Sequence, residues 1–446
     1  MYSSLKLNRI SAVWGFVVIA AFAIAACKQV APAGGKTMYT QVHWTGAVSD
    51  SSARVVARLR DSYRTLQLEY SMAEDFSSAS RVFEPSNVVA SPKGYLAQFE
   101  LLDLQPSTKY WYRFRLGDSI DTSSVSSFTS FPDAGTPSDF SFVFGSCQRT
   151  GSNAEVYNRI LTHDPLFMMV TGDFHYSNIS ANTVERFYRA WQAGLASPRL
   201  ASFYAQTPIV YMWDDHDFGP NDSDSTSPAR AAALTAYRDM VPHYPLASDA
   251  RLSPVQQAFS VGRVRFILLD LRSARSPFRS KGENKTMLGA FQKQWLFKEL
   301  ESAADDHDLF VWVSSVPWID DRNTSDGWTY YRNERREITN FIIKHNLQQR
   351  MCMLCGDAHM LAIDDGSHSF NSDAEGPGFP VMHAAALDRG GSVKGGPYSH
   401  GRKAGPGQFG RMDVRYTPET LDVTWRGYNL KDEVVMSYEF SVERRR

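Results

Sequence analysis

The sequence predicts an α/β protein, a helix-covered sheet with a second sheet packed against it, preceded by an all-β sandwich. Three textures carry that expectation. Residues 37–131 alternate apolar and polar side chains in short runs broken by Ser, Asp, Pro and Gly, the period of half-buried strands. From Phe140 onward, continuous apolar runs alternate with segments whose apolar residues recur at three and four, as in a sheet buried under helices. From Arg411 to Val442 the two-residue period returns. Composition agrees: 43% of the 446 residues are apolar and 13% aromatic, too much apolar surface for a disordered chain. Lys and Arg number 47 against 48 Asp and Glu, a net charge of −1 that argues against a nucleic-acid binder. Four cysteines are too few for a disulfide scaffold.

The chain opens with an export signal over residues 1–27. Lys6 and Arg9 precede an apolar run from Ala12 to Ala25, interrupted by Gly15 and shorter than the ~20 residues that span a bilayer. Ile24-Ala25-Ala26-Cys27 resembles a bacterial lipobox, which makes Cys27 the lipidated first residue of the mature chain; a plain signal peptide cut elsewhere is the alternative. Residues 28–36 then tether a soluble body to a membrane. Lys28, in place of an Asp, favours outer-membrane sorting if the cell has two membranes.

Residues 37–133 make the sandwich, with strands at Arg54–Leu59, Gln67–Tyr70 and Tyr95–Glu100. Leu104, Pro106, Thr108, Tyr110, Tyr112 and Phe114 resemble the corner segment of fibronectin type III-like (Ig-like) sandwiches. Phe131–Pro137 reads as a linker. The body, 138–446, has strands at Phe140–Phe144, Leu166–Val170, Ile209–Trp213, Phe266–Leu269, Leu309–Val313 and Met351–Leu354. Helices are expected at Ala154–Leu161, around Val184-Phe187-Trp191, across Leu288–Leu300 and around Ile338-Phe341-Ile342. The alternating tail, Leu421–Trp425 above all, is expected to build the second sheet.

Chemistry sits where those strands end. The first exits into Gly145-Ser146-Cys147-Gln148-Arg149, the second into Gly172-Asp173-Phe174-His175-Tyr176, and the third into Asp214-Asp215-His216-Asp217. The Met351 strand exits into Gly356-Asp357-Ala358-His359. Taken as four strands of one sheet, these deliver their side chains to the edge where α/β sheets bind ligands. Gly172 and Gly356 let the backbone turn so that each carboxylate faces inward. Crowded carboxylates repel and resist desolvation unless a cation compensates them, and a multinuclear metal centre supplies that cation. Carboxylate and phenolate suit hard ions, imidazole suits transition metals, and thiolate binds iron or zinc.

Each piece alone has a plainer reading: Gly-Asp as a turn, Asp-Asp-His-Asp as a solvated loop. Cys352 and Cys355 lie within a strand and read as core. His175 falls on the opposite side of its strand exit from Asp173 and Tyr176. Asp364-Asp365-Gly366 reads as a hairpin turn. Asp270, Arg272 and Arg275 are candidates to support the site through salt bridges. The Gly-rich stretch Arg389–Gly410, with Lys394, Arg402 and Lys403, is either a cationic loop over an anionic substrate or a surface loop.

Gly-Ser-Cys-Gln, Gly-Asp-x-x-Tyr, Trp-Asp-Asp-His-Asp and Gly-Asp-x-His, in that order, resemble the alkaline phosphatase D (PhoD-like) family of the metallophosphoesterase superfamily. Leu269–Arg275, Met287-Leu288-Gly289 followed by Gln294-Trp295-Leu296, and Lys394–Ser399 extend the likeness over about Phe140–Gly410. The resemblance implies a four-layer α/β/β/α metallophosphoesterase sandwich. It implies iron(III) held by Cys147, Asp173 and Tyr176, with Asp357 or His359 completing the cluster. A second divalent ion, calcium or another, would share Asp173 with Asp215. His216 would protonate the leaving group or hold a phosphoryl oxygen, Asp217 would orient it or lie behind it, and Arg149 would face the charged oxygens. The chain departs from the wider superfamily where Cys147 replaces Asp-x-His and Gly-Asp-x-His replaces Gly-His-x-His. Its Phe218–Asp222 loop also differs from the family's Asn-rich version.

The resulting expectation is a monomeric, lipid-anchored, metal-dependent hydrolase of phosphate mono- or diesters in the cell envelope. The alternative is an envelope-surface binding lipoprotein whose metal site is structural or inactive.

Overall fold

Val143, Phe144 and Gly145 pair in parallel with Met168, Met169 and Val170, and these in turn with the Ile209–Met212 strand. Their continuous apolar character is what a strand buried on both faces requires. The computed structural model describes residues 39–61, 65–91, 94–277, 279–319, 326–370 and 378–445. The segments expected to be an export signal and a tether, and Cys27 between them, lie outside the described residues.

The parallel trio is the centre of a ten-stranded sheet. Its order is Val434–Glu443, Thr420–Tyr428, Phe409–Tyr416, Phe140–Gly145, Met168–Thr171, Ile209–Met212, Thr40–Gly46, Ala53–Leu59, Gly94–Leu101, Asn87–Ser91. The alternating tail therefore extends the first sheet and does not build a second one, contrary to the sequence expectation. An antiparallel ribbon can edge a parallel sheet as readily as pack on it, and periodicity does not distinguish the two.

The second sheet comes from the middle of the chain. It has seven strands, in the order Gln257–Val261, Val264–Leu268, Leu309–Ser314, Met351–Cys355, Val381–Ala384, Met360–Asp364, Arg402–Ala404. Alternate side chains sort its two faces. Phe266, Leu268, Val311, Val313 and Leu354 share a core with the ten-stranded sheet, where Phe266 packs 5.4 Å from Phe142 and 5.7 Å from Phe167 between ring centres. Ile267, Phe310, Trp312, Met351 and Met353 share another with Leu296 and Leu300 of helix Gly289–Ser302 and Ile338 and Ile342 of helix Arg332–Lys344. Cys352 and Cys355 are free and buried in this sheet, one on each core.

The N-terminal strands form two groups. Four of them continue the ten-stranded sheet. Gln67–Ser71, Ser80–Phe83, Lys109–Leu116 and Ser119–Ile120 make a separate sheet, to which Ser126–Thr129 pairs. Phe99 and Phe114 bridge the two groups at 5.8 Å, and the Gln105 N–H donates to Tyr110 Oη at 2.8 Å. At the junction Gly46 pairs with Ile209, and a Cβ on Gly46 would lie 2.6 Å from the Ile209 carbonyl oxygen. Only glycine allows that approach. The described residues form one compact unit. Among the described residues no helix is long and apolar enough to cross a membrane.

Desolvation keeps the half-buried His43 and the buried His383 neutral in this frame, pushing His43 down to about 4 and His383 to about 3. Both values lie below the ~6.5 of an unfolded histidine. The unfolded chain thus binds protons that the folded chain refuses, and stability falls as pH drops from ~6.5 toward 4, by up to ~1.4 kcal/mol per pH unit per histidine. Melting followed from neutral pH to about pH 5 should show the loss. His43→Gln should make it shallower, and an unchanged slope would contradict the assignment.

Candidate metal centre

Cys147, Asp173 and Asp357 each lie two residues beyond a strand, and each takes a left-handed backbone, with φ of 63°, 55° and 60°. Such conformations cost ~1–3 kcal/mol for residues with a Cβ and concentrate at functional sites. The exits are laced together. Cys147 N–H donates to the Gly172 carbonyl at 3.3 Å, Gln148 N–H to the Asp173 carbonyl at 3.0 Å, and Gly356 N–H to the Ser314 carbonyl at 3.1 Å. The two glycines act differently from each other. Gly172 has φ +107°, whereas Gly356 is required because a Cβ there would run into the Thr171 carbonyl oxygen. The fourth exit begins a short helix, Asp215–Phe218, capped by Asp214.

Three of the four exits belong to the ten-stranded sheet, and the Asp357–His359 exit belongs to the seven-stranded one. This corrects the expectation of a single sheet: the site lies at the shared end of two packed sheets. There Cys147 Sγ lies 3.5 Å from Asp173 Oδ2, and Tyr176 Oη donates to the same oxygen at 2.7 Å. Tyr176 Oη is 3.2 Å from His359 Nε2, whose Nδ1 is fixed by the Gly390 carbonyl at 2.6 Å. Donor atoms converge within 4.8 Å in four sets: Cys147, Asp173 and His359; Asp173, Asp215 and His216; Asp173, Asp214 and Asp357; Asp215, Asp222 and Asp326. Asp173 belongs to three of them.

Asp217, Arg149 and His175, all named from sequence, stand back from these sets, and His216 is held at their edge. Asp217 is fully buried and accepts the backbone N–H groups of His175 at 3.0 Å and Asp214 at 3.2 Å. The partner of His216 Nδ1 is Asn178 Oδ1, at 2.5 Å. Arg149 is exposed at the rim, its backbone N–H held by the Asp388 carboxylate. His175 is buried behind the site, 3.8 Å from Asp217, and burial pushes it down to about 3.

Sequence reasoning did not pick out Asp222, Asp326, Asn178 or Arg389, and it did not single out Asp214 as a donor. Arg272 is a buried hub, with Nε 2.6 Å from Asp214, Nη1 2.7 Å from Asp326 and Nη2 4.0 Å from Asp215. Arg275 adds a contact to Asp326 at 3.2 Å. Asp270 bonds Trp213 Nε1 at 2.9 Å and the Arg272 backbone at 3.0 Å. From the Gly-rich stretch, Lys394 Nζ reaches Asp357 Oδ1 at 2.5 Å.

These cations do not neutralise the cluster. Burial first, then repulsion from Asp215, Asp214, Asp217 and Asp357, drives the Asp173 carboxyl far above the carboxylate range. Burial, then Asp173 and Asp357, does the same to the Cys147 thiol. Burial lifts Asp357 to about 6 against the pull of Lys394. Burial also opposes ionisation of Asp215, but Arg272 and His216 outweigh it and hold this carboxyl below its ordinary value.

Three buried carboxylate oxygens, Asp173 Oδ1, Asp214 Oδ2 and Asp357 Oδ2, have no hydrogen-bond partner, and their residues form one of the convergent sets. An orphaned buried carboxylate is costly, whereas a cation among three of them removes the cost. The donor set of thiol, phenol, carboxylates and imidazoles therefore fits metal ions. The sequence profile of the PhoD-like phosphatases matches residues 142–383, more than half of the chain and the whole donor set. The chain belongs to the PhoD-like phosphatase family. It is similar to alkaline phosphatase D of Bacillus subtilis (strain 168), at 24% identity over 346 residues, 66% of this chain. The chain spans 58% of the length of that curated relative. Its fold is similar to a solved structure of PhoD, with a TM-score of 0.69 at 20% identity, covering 90% of this chain and 89% of that one. It is also similar to the purple acid phosphatase PPD1 from yellow lupin (Lupinus luteus) seeds, with a TM-score of 0.64 at 11% identity, covering 90% and 74%. In this PhoD-like chain Arg389 and Lys394 lie beyond the profile match.

Proposed function

We propose that this chain is a metal-dependent hydrolase of phosphate mono- and diesters, held at the cell envelope through a lipid on Cys27. The reading rests chiefly on Asp173, whose carboxylate is common to three convergent donor sets and carries an orphaned oxygen. Cys147, Asp173, Tyr176 and His359 would hold iron(III), for which anionic thiolate and phenolate are suited donors. Asp173, Asp214, Asp215 and Asp357 would hold a second ion, calcium or another divalent metal. When bound, the pair supplies Lewis acidity toward the phosphoryl oxygens and lowers the pKa of a water.

The chain's own groups do the rest. Asn178 fixes His216 through Nδ1, leaving Nε2 to give a proton to the leaving alkoxide, a contribution of ~10²–10⁴-fold. Asp217 holds the Asp214–His216 turn and the His175 backbone in place. Arg149 stands at the rim to meet charged oxygens. In the finer architecture the two facing sheets and their helices make the four-layer α/β/β/α body, and residues 37–133 make a fibronectin-like module, four of whose strands continue the ten-stranded sheet.

Purified protein should hydrolyse bis-p-nitrophenyl phosphate or p-nitrophenyl phosphate. Retained metal with no turnover of any ester would favour a structural centre in a binding lipoprotein. The anchor is tested by labelled palmitate, which should enter the wild type and not Cys27→Ala; equal labelling of both rejects it.

A further inference from the structure

We infer that Arg389 is a substrate-binding residue that tilts this site toward dianionic phosphate monoesters. The inference rests on the hydrolase reading above and deepens it.

The segment from Asp388 to Gly396 is strapped across the mouth of the centre. Asp388 takes the Ser152 hydroxyl at 2.6 Å and the Arg149 N–H, and Gly390 accepts from His359. Ser392 N–H donates to the His359 carbonyl at 3.1 Å, and Gly396 N–H to the Ile319 carbonyl at 2.9 Å. The strap brings two cations to the site, and they differ in one respect. Lys394 is spent on Asp357 at 2.5 Å. The Arg389 guanidinium lies 4.1 Å above the ring centre of Tyr176, and among the described residues no carboxylate pairs with it. His216 packs on the same phenol, its ring centre 4.1 Å from that of Tyr176. The Tyr176 hydroxyl bonds Asp173 and His359, so Arg389 is held over a phenol whose edge is part of the donor cluster.

A stacked guanidinium keeps its N–H edge free for the fork-shaped recognition of phosphoryl oxygens. Because no carboxylate among the described residues pairs with it, it favours whichever ligand carries more negative charge. A monoester is a dianion above its second pKa of ~6, whereas a diester remains a monoanion.

The test is a comparison at about pH 8 of wild type, Arg389→Gln and Arg389→Lys, with metal content measured for each. Arg389→Gln is expected to raise KM for p-nitrophenyl phosphate ~10-fold, the worth of one charge-assisted contact, and KM for bis-p-nitrophenyl phosphate ~3-fold or less. Inhibition by inorganic phosphate should weaken in parallel with the monoester, and Arg389→Lys should restore most of the preference. KM values that stay put, or that rise equally for both esters, overturn the inference. If Arg389→Gln loses metal, Arg389→Lys decides, because retained metal with retained preference supports the charge account and lost preference rejects it. Failure of the hydrolase reading is distinct, since wild type would then turn over neither ester. In that case calorimetric titration with inorganic phosphate against dimethyl phosphate still reads Arg389, through a preference for phosphate that Arg389→Gln either loses or keeps.

Discussion

Asp173→Asn should abolish ester hydrolysis and, in metal-free protein, raise the melting temperature. The two signs come from one cause. The Asp173 carboxyl sits among Asp214, Asp215, Asp217 and Asp357, and burial and their repulsion drive it far above the carboxylate range. A carboxyl raised that far must take up a proton on folding, and a neutral amide of the same shape avoids that cost, so the metal-free variant should melt higher by about 2 °C or more. With metal present the order reverses, because the wild type gains binding energy that the variant cannot. Activity should fall by at least ~10²-fold, the range already seen for residues one step removed from a metal. Melting curves with and without chelator, recorded beside turnover of bis-p-nitrophenyl phosphate, check both signs. A metal-free variant that melts lower than the wild type would contradict the repulsion argument.

Arg272→Met should be the most destabilising single change near the site. The guanidinium is fully buried and carries Asp214, Asp326 and, at longer range, Asp215. Its removal leaves buried carboxylates without their counter-ion, a loss of ~3–5 kcal/mol. It also removes the attraction that holds Asp215 below its ordinary pKa, so affinity for the second ion should fall. Urea unfolding of metal-free protein measures the first effect. Adding Asp326→Asn should return part of the loss, because one stranded charge is then gone. A change under ~1 kcal/mol would mean that water reaches these groups.

Most of the convergent side chains were legible in the sequence because they follow strands at fixed distance: Cys147, Asp173 and Asp357 each stand two residues beyond a strand. The left-handed backbone they share was not legible, since only Gly172 among their neighbours signals it and Gly356 is glycine for a packing reason. Assigning all four exits to one sheet failed because an apolar run of five residues looks the same in either of two stacked sheets. The tail failed likewise, as the alternation of Leu421–Trp425 fits an edge ribbon as well as a second layer. Asp326 stands in no strand exit, and only its contacts with Arg272 and Arg275 give it meaning. Asn178 is one asparagine in a polar loop, and nothing in sequence ties it to His216, 38 residues away.

Elemental analysis of protein purified without added metal, with the visible spectrum of the same sample, tests the central claim most directly. The account predicts at least two metal ions per chain, iron among them, a violet-brown colour from thiolate or phenolate coordination, and loss of both in Asp173→Asn. Protein that carries no metal, takes none up on dialysis and melts at the same temperature with or without chelator would contradict it.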